Sequence, residues 1–233
     1  SGEWLDQTIR YNSVAGISST AGQAPRALGI AYASKLYRER ADLAEHAALF
    51  SKGGQEVCFT TIGDASTSEG MYLECINAAG VLQVPIIFSV WDDGYGISVP
   101  IEYQTTKSSI SKALAGFQRN EDGKGLEIIE VKAWDYPGLL DAYVRASKLA
   151  REEFVPCLVH VIECTQPQGH SASGSHERYK SADRLAWEHE ADCNLLFRQW
   201  ILENKYSDES TLKAIDDEAV IQARKYQKDA FAA

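Results

Sequence analysis

The chain has 233 residues, of which 45% are hydrophobic and 24% are charged, and its formal net charge is −10. This length and composition are typical of one globular α/β domain with a substantial core, with or without an appendage. The negative charge disfavours a nucleic acid or an anionic membrane surface as the main partner. The sequence has no apolar run long enough to span a bilayer, no signal-peptide pattern at its start, and five scattered cysteines. We therefore expect a cytoplasmic protein with reduced thiols.

Helical and strand-like patterns alternate in the first half of the chain. After an entry segment without a clean period, helical spacing runs over residues 25–40 and again over residues 71–83. Two runs rich in β-branched and aromatic residues, at 55–63 and 86–91, predict buried strands. These segments therefore follow one another in the order helix, strand, helix, strand.

The alternation continues in the second half of the chain. A loop that leads into a short helix is predicted over residues 104–118, and strands are predicted over residues 126–134 and 156–164. Between these strands, residues 136–154 form a strong amphipathic pattern with Pro137 near its first turn. Four strands that alternate with helices predict an α/β fold, a doubly wound parallel sheet with helices on both faces.

The end of the chain has a different organisation. A polar segment without an apolar period, residues 165–181, follows the fourth strand, and helical patterns follow it. We therefore predict three parts: an α/β core at residues 1–165, a candidate active-site loop at 166–182 and a C-terminal helical extension at 183–233.

Polar residues follow three of the four predicted strands. Gly63 and Asp64 end the first strand, Asp92 and Asp93 end the second, and the loop with His170 follows the fourth. In open α/β sheets, ligands bind beyond the carboxyl ends of the strands. The convergence of these three features at one edge predicts a binding site there.

The stretch "IGDASTSEG" after the first strand has two interpretations. Ala65, Ser66 and Thr67 lead into a helix, whose free backbone N–H groups favour an anion such as a phosphate. A serine or threonine at this position is equally typical of an ordinary helix N-cap. The motif alone favours the N-cap.

The stretch "SVWDDGYGISVP" after the second strand raises the question of what balances two adjacent acids. Asp64 and Asp93 are 29 residues apart, a spacing of one helix and one strand that can place two strand ends side by side. Mg²⁺ takes about six oxygen ligands, often one or two carboxylates with phosphate oxygens and water. Both aspartates and a backbone carbonyl from the turn at Tyr95 could supply the protein's share. The alternative is a simple turn with Asx hydrogen bonds at Asp92 and Asp93.

These motifs, in this order, resemble the thiamine-diphosphate motif of the alpha subunits of 2-oxo acid dehydrogenases, of the branched-chain and pyruvate type. The resemblance rests on four segments: "GDASTSEGMYLECINAAGVLQVPIIFSVWDDGYGISVP", the preceding "ISSTAGQAPRALGIAYASK", the loop "QGHSASGSHERYKS" and the tail "WEHEADCNLLFRQWI". The resemblance extends over nearly the whole chain. Within this family, the chain resembles in particular the alpha half of a bacterial alpha–beta fusion.

The resemblance implies thiamine diphosphate and Mg²⁺ as cofactors and assigns roles to single residues. Asp64, Asp93 and the carbonyl of Tyr95 would bind the metal, and His170 would act near the reacting centre of the cofactor. The residues expected to contact the cofactor are Gly63, Asp64, Ala65, Ser66, Asp93, Tyr95, Gly96, Ile97 and His170. The loop at residues 18–23 would approach the aminopyrimidine end, and Ser171 matches a phosphorylated serine of animal enzymes, although we infer no phosphorylation.

Four positions depart from the family pattern. Ala65 replaces the second glycine of GDG, and Asp93 replaces the ligand asparagine. Trp91 and Gln166 replace two arginines that contact the pyrophosphate in the family. Each change would cost about 1 to 3 kcal/mol if the contact is buried and uncompensated. Cofactor affinity is therefore the property that these departures put in question.

The resemblance also implies partners. The cofactor would lie between this alpha half and a beta half, a lipoyl domain of a dihydrolipoyl acyltransferase would accept the acyl group, and a small 2-oxo acid would be the substrate. We expect a homo-oligomer or two-plus-two assembly, and no catalysis by this chain alone. Two alternatives stay open: a Mg²⁺-dependent phosphoryl-transfer enzyme with strand-end aspartates, and a degenerate, non-catalytic interaction module.

Overall fold

A computed structural model describes residues 19–171 and 175–232. It divides into two compact units, the first ending at Cys164 and the second beginning at Thr165. Each unit has its own elements and contacts, and the first unit contains the sheet.

The first unit is built on a four-stranded parallel sheet with the strand order β1-β2-β6-β5. The four strands are β1 (Cys58–Gly63), β2 (Ile86–Trp91), β5 (Glu127–Lys132) and β6 (Cys157–Ile162). A short antiparallel pair, β3 (Tyr95–Gly96) and β4 (Val99–Pro100), follows β2. All four predicted strands are present, and the last strand in the chain lies between the second and the third.

Side chains of the sheet alternate between two hydrophobic clusters. On β2, Ile86, Phe88 and Val90 pack with small residues of the helices on one face, whereas Ile87 packs on the other face. Such two-sided burial explains why the strands are apolar at consecutive positions. The predicted doubly wound sheet with helices on both faces is therefore confirmed.

Helices α1 and α3 cover one face of the sheet, and α5 covers the other. Helix α5 begins where the sequence predicts: Asp135 caps it by accepting the N–H of Gly138 at 3.1 Å, and Pro137 lies in its first turn. The helices of this unit are α1 (Gln23–Glu39), α2 (Ala44–Phe50), α3 (Gly70–Leu82), α4 (Ile110–Ala113) and α5 (Tyr136–Glu153).

Some elements differ from the predictions. The first strand begins at Cys58 rather than at residue 55, because its neighbour β2 begins opposite Cys58, at Ile86, directly after Pro85. Helix α2 and the β3–β4 pair are present although the sequence analysis did not predict them. Both are short, so neither contains enough residues to show a period.

The second unit contains α6 (Ala182–Glu190), α7 (Cys193–Glu203) and α8 (Glu209–Ala232). The predicted helical segment 182–205 is broken, because Asp192 accepts the N–H of Asn194 at 2.8 Å and starts a new helix. A buried ion pair joins Lys180 to Glu188 at 2.7 Å. In the described ranges, none of the helices combines the length and apolar character that crossing a membrane requires.

Candidate functional site

The carboxyl ends of β1 and β2 lie side by side. Gly63 is opposite Trp91 in the parallel register, and the N–H of Asp64 donates to the Trp91 carbonyl at 3.1 Å. The N–H of Asp92 in turn donates to the carbonyl of Val161 on β6 at 2.9 Å. The 29-residue spacing of Asp64 and Asp93 therefore does place two acidic strand ends at one edge of the sheet.

Asp64 is one of two buried acids at this edge, with Asp92. Asp64 is only 5% exposed, and burial raises the pKa of its carboxyl group to about 7. The negative charges of Asp92 and Asp93 raise this pKa further, whereas nearby backbone N–H groups lower it. Three carboxylates thus interact electrostatically at one place, and a bound divalent cation would favour the ionised form of all three.

The segment after Asp64 is a short turn, in which the N–H of Thr67 donates to the Asp64 carbonyl at 3.0 Å. Residues 65–68 form one right-handed 3₁₀ turn, and within the described residues neither this turn nor α3 receives a side-chain N-cap. The hydroxyl of Thr67 instead donates to the Asp64 carbonyl at 2.6 Å. Since Ala65 lies inside the right-handed turn, its methyl group is accommodated without backbone strain. The N-cap interpretation of this motif is therefore wrong.

The turn after β2 contains two Asx hydrogen bonds. Asp92 Oδ1 accepts the N–H of Gly94 at 2.8 Å, and Asp93 Oδ1 accepts the N–H of Tyr95 at 3.1 Å. The simple-turn alternative thus describes the local geometry correctly. A carboxylate has about four lone-pair sites, so an Asx bond is compatible with metal ligation by the same residue.

Asp92 has a buried partner that the sequence analysis did not identify. Its Oδ2 lies 2.8 Å from Nε2 of His160, a residue that is 1% exposed. The N–H of Ser111 donates to Nδ1 of the same ring at 3.3 Å, so Nε2 carries the proton that is donated to Asp92. Asp92 therefore anchors its turn to the sheet. No local pattern signals this pair, because β2 and β6 are neighbours only after folding.

Ile97 has an unusual backbone conformation in the short connection between β3 and β4. Its φ is +61°, and the residue is 60% exposed. A left-handed conformation costs a β-branched residue roughly 1–2 kcal/mol. Such strain is concentrated at functional sites in proteins, which is consistent with the predicted cofactor contact at Ile97.

Gly63 leaves space at the end of β1. In the described part of the chain, a Cβ atom added to Gly63 would meet no atom within 4 Å, and its φ is not in the left-handed region. The backbone conformation at Gly63 therefore does not itself demand glycine, and the turn starts at Asp64. The open space is instead suited to close approach of a ligand.

Trp91 lies on the α5 side of the sheet. Its indole N–H donates to Ser89 Oγ at 3.0 Å, and that hydroxyl is 2.5 Å from the hydroxyl of Tyr143 on α5. The indole is nevertheless 56% exposed. Trp91 thus packs over a polar pair and supplies no cation where the family pattern has an arginine.

The remaining predicted residues lie in the second unit or near the start of the chain. His170 and Ser171 are exposed residues in the loop after β6, which also contains Gln166. The catalytic role of His170 stays a prediction. Of the 18–23 loop, Ser18 lies outside the described residues, and Gln23 Nε2 donates to the Thr61 carbonyl at 2.9 Å.

The described residues limit the type of metal site that is possible. Among them, no three His, Cys, Asp or Glu side chains form a group that could hold a metal ion. A cation at this edge would therefore take at most two carboxylates from the protein, with carbonyl, phosphate or water oxygens completing its shell. This donor set suits Mg²⁺ and does not suit a structural zinc ion.

The sequence is similar to several curated proteins. It is 26% identical over 160 residues to the pyruvate dehydrogenase E1 component subunit alpha of Rickettsia conorii, covering 69% of this chain and 46% of that protein. It is 28% identical to 2-oxoisovalerate dehydrogenase subunit alpha 2, mitochondrial, of Arabidopsis thaliana, covering 87% and 38%. It is 26% identical to 2-oxoisovalerate dehydrogenase subunit alpha of Bacillus subtilis, covering 88% and 55%. The chain thus spans about half the length of these relatives.

A solved transketolase from Campylobacter jejuni is also similar, with a TM-score of 0.44 and 19% identity over 59% of this chain and 19% of that one. This likeness is too partial to support a statement about function. The profile of the family described as dehydrogenase E1 component, in contrast, matches residues 5–232. The chain therefore belongs to the dehydrogenase E1 component family.

Proposed function

We propose that this chain is the alpha half of a 2-oxo acid dehydrogenase and binds the pyrophosphate and Mg²⁺ of thiamine diphosphate. The observation that carries the proposal is that the ends of β1 and β2 lie side by side, with the Asp64 N–H donating to the Trp91 carbonyl, so that Asp64, Asp92 and Asp93 share one edge of the sheet. In a chain of this family, such an acidic edge suits a cation that is shared with an anionic cofactor.

The residues at this edge fit the metal. Asp64 and Asp93 would each supply a carboxylate oxygen, and Tyr95 would supply its backbone carbonyl. Asp92 is less suited to bind the metal than Asp64 or Asp93, because its carboxylate is held by the buried His160 ring as well as by the N–H of Gly94. Its role is to hold the turn that carries Asp93 and Tyr95.

The residues also fit the pyrophosphate. The space beside Gly63 admits close approach, and the 3₁₀ turn with Ala65 and Ser66 presents backbone N–H groups. The N-terminus of α3, which no described side chain caps, adds the positive end of its dipole. Backbone donors would thus replace part of the charge that Trp91 and Gln166 do not supply.

The division of labour follows from these contacts. When bound, thiamine diphosphate supplies the electron sink that decarboxylation of a 2-oxo acid requires. The chain's own residues would bind and orient the diphosphate end: Asp64, Asp93 and Tyr95 through the metal, and Gly96 and Ile97 by packing beside it. His170 would hold or relay a proton at its imidazole ring near the reacting centre.

The chain spans about half the length of its relatives, so the complete activity is assigned to a larger assembly. We propose that a beta half completes the cofactor site, that a lipoyl domain accepts the acyl group, and that the complex forms a two-plus-two or similar assembly. The substrate is a small 2-oxo acid. The chain alone would bind the cofactor weakly and would not turn over substrate.

Calorimetric titration tests this proposal. Thiamine diphosphate with Mg²⁺ is titrated into the chain alone, into a beta half alone and into their mixture, with EDTA in place of Mg²⁺ as the control. We expect saturable, Mg²⁺-dependent binding in the mixture, because both halves then line the site. The absence of heat in the mixture would contradict the proposal.

A degenerate interaction module is the second candidate. Trp91 favours it, because its indole occupies a position where the family has a phosphate-binding arginine and is held by Ser89. This candidate predicts that a beta half still associates with the chain but that no cofactor binds. The phosphoryl-transfer alternative is disfavoured, since the chain belongs to the dehydrogenase E1 component family.

A further inference from the structure

The segment that follows β4 connects the two turns of the candidate site. The N–H of Ile101 donates to the Gly94 carbonyl at 3.0 Å, which fixes this segment to the turn after β2. Three residues later, Gln104 Nε2 donates to the Ala65 carbonyl at 2.8 Å, which fixes it to the turn after β1. The hydroxyl of Ser68 also lies 3.4 Å from the Gln104 carbonyl.

The side chain of Gln104 fills the space between the two turns. A Cβ atom added to Gly96 would lie 2.5 Å from Gln104 Oε1 and 3.0 Å from the Cβ of Ala65. Real Cβ atoms do not approach other atoms as closely as the first of these distances. Because Gly96 has no side chain, the Gln104 amide can lie close to both Gly96 and Ala65.

The backbone ladder of the sheet ends before the proposed metal ligands. The register of β1 and β2 ends at Gly63 opposite Trp91, and one further bond joins Asp64 N–H to the Trp91 carbonyl. Asp93 and Tyr95 lie beyond this point. The amide of Gln104 lies between the turn with Tyr95 and Gly96 and the turn with Asp64 and Ala65. It therefore connects these turns where, among the described residues, no further β1–β2 backbone hydrogen bond does so.

We propose that Gln104 is a positioning residue that fixes the separation of the two metal-binding turns and thereby favours Mg²⁺ over larger divalent cations. This inference rests on the proposed function, since it concerns the same metal site. Mg²⁺ requires near-ideal geometry with ligand distances of about 2.0–2.1 Å, whereas Ca²⁺ accepts flexible shells at about 2.3–2.6 Å. Turns that are free to separate would therefore lose affinity for Mg²⁺ first.

The test compares Gln104→Met with wild type in the complex of the chain with a beta half, with Mg²⁺ and Ca²⁺ titrated separately at a fixed, saturating concentration of thiamine diphosphate. Methionine retains the length of the side chain but cannot donate to the Ala65 carbonyl. The matched control is Gln83→Met, at the C-terminal end of α3 and away from the two turns. Gln83 Nε2 also donates to a backbone carbonyl, that of Gly125, at 2.9 Å. Circular dichroism and thermal unfolding confirm that each variant is folded.

We expect Gln104→Met to weaken Mg²⁺ binding at least fivefold and Ca²⁺ binding less than twofold, and Gln83→Met to change neither. A general loss of stability would lower the affinities for both cations by the same factor or leave both unchanged. The ratio of the two affinities therefore isolates the positioning role. If Gln104→Met does not fold, Gln104→Leu serves instead, because leucine also lacks the amide donor and adds no charge beside the metal site.

The outcomes separate this inference from the proposed function. If wild type binds both cations and Gln104→Met has the same affinity ratio, the inference is overturned and the proposed function stays in place. Wild-type protein that binds neither cation overturns the proposed function and the inference together. A shifted ratio in Gln83→Met equal to that in Gln104→Met also overturns the inference.

Discussion

At the scale of single residues, the candidate site combines groups that are unfavourable for folding with groups that hold them in place. Asp64 is buried beside two other acids, and Ile97 has a left-handed backbone. The Asp92–His160 pair and the amide of Gln104 oppose these effects by fixing the turns. Binding sites in proteins commonly retain such local conflicts, because the ligand resolves them.

The substitution Asp64→Asn should stabilise the metal-free protein at pH 8. The folded-state pKa of about 7 lies above the ordinary value of 3.8, so the folded protein retains a proton that the unfolded chain has lost. The contribution of Asp64 to the wild-type free energy of unfolding therefore decreases as the pH rises from about 4 to about 7. Asn removes this decrease, and it also weakens Mg²⁺ binding.

Urea unfolding in EDTA at pH 4 and pH 8 measures the effect of Asp64→Asn. We expect the variant to gain stability relative to wild type on going from pH 4 to pH 8. The control is Asp141→Asn on α5, outside the acidic edge, for which we expect no such gain. An Asp64→Asn variant whose relative stability is the same at both pH values would contradict the electrostatic account of this edge.

The substitution His160→Phe should destabilise the protein by about 3 kcal/mol, because it leaves the Asp92 carboxylate buried without its partner. Gln at position 160 can still donate an N–H to Asp92, so His160→Gln should cost clearly less. Chemical denaturation at pH 7.5 measures both variants. Equal losses in the two variants would show that ring packing, rather than the hydrogen bond to Asp92, is what His160 provides.

At the scale of elements, the sequence predicts best where a period is long or a chemical signal is strong. The 18-residue helix α5 has a capping Asp135 and an early Pro137, and it begins where predicted. The strand β2 also has its predicted bounds, since Pro85 precedes it and turn residues follow it. Short elements such as α2 and the β3–β4 pair have too few residues for a period, so tertiary contacts decide them.

Helix α5 packs on the sheet through a row of small residues. Ala142, Ala146 and Ala150 are buried against residues of β2 and β6, which allows the helix to approach the sheet closely. The substitution Ala146→Leu should overpack this interface and destabilise the protein by about 1–3 kcal/mol. Val144 on the same helix is 68% exposed, so Val144→Leu is the matched control with little expected effect.

Thermal and urea unfolding of these two α5 variants measure the difference. We expect a lower midpoint for Ala146→Leu and an unchanged midpoint for Val144→Leu. If both variants unfold like wild type, the close approach of α5 to the sheet is not a constraint on this fold.

At the scale of the whole molecule, the sequence predicts the fold class and the edge where the acidic strand ends meet, but not the order of the strands. The last strand, β6, inserts between β2 and β5, and this order creates the contact of Asp92 with His160. Local patterns do not contain such information, because strand order depends on which helices cover which face. The same limit explains why the sequence analysis did not identify Gln104, whose partner Ala65 is 39 residues away.

The assembly of the active enzyme is also a property of the whole molecule. The chain spans about half the length of its relatives, and its acidic edge supplies only the metal-binding and diphosphate-binding side of the proposed site. We therefore propose that this protein is one half of a catalyst, in which a single divalent cation joins the ends of β1 and β2.

Anomalous diffraction from crystals grown with Mn²⁺ and thiamine diphosphate tests this claim most directly. Mn²⁺ substitutes for Mg²⁺ at oxygen-rich sites, and its anomalous signal identifies its position without assumptions about ligands. The account predicts one strong peak bounded by the Asp64 and Asp93 carboxylates and the Tyr95 carbonyl. A peak elsewhere, or no peak at this edge with the cofactor present, would contradict it.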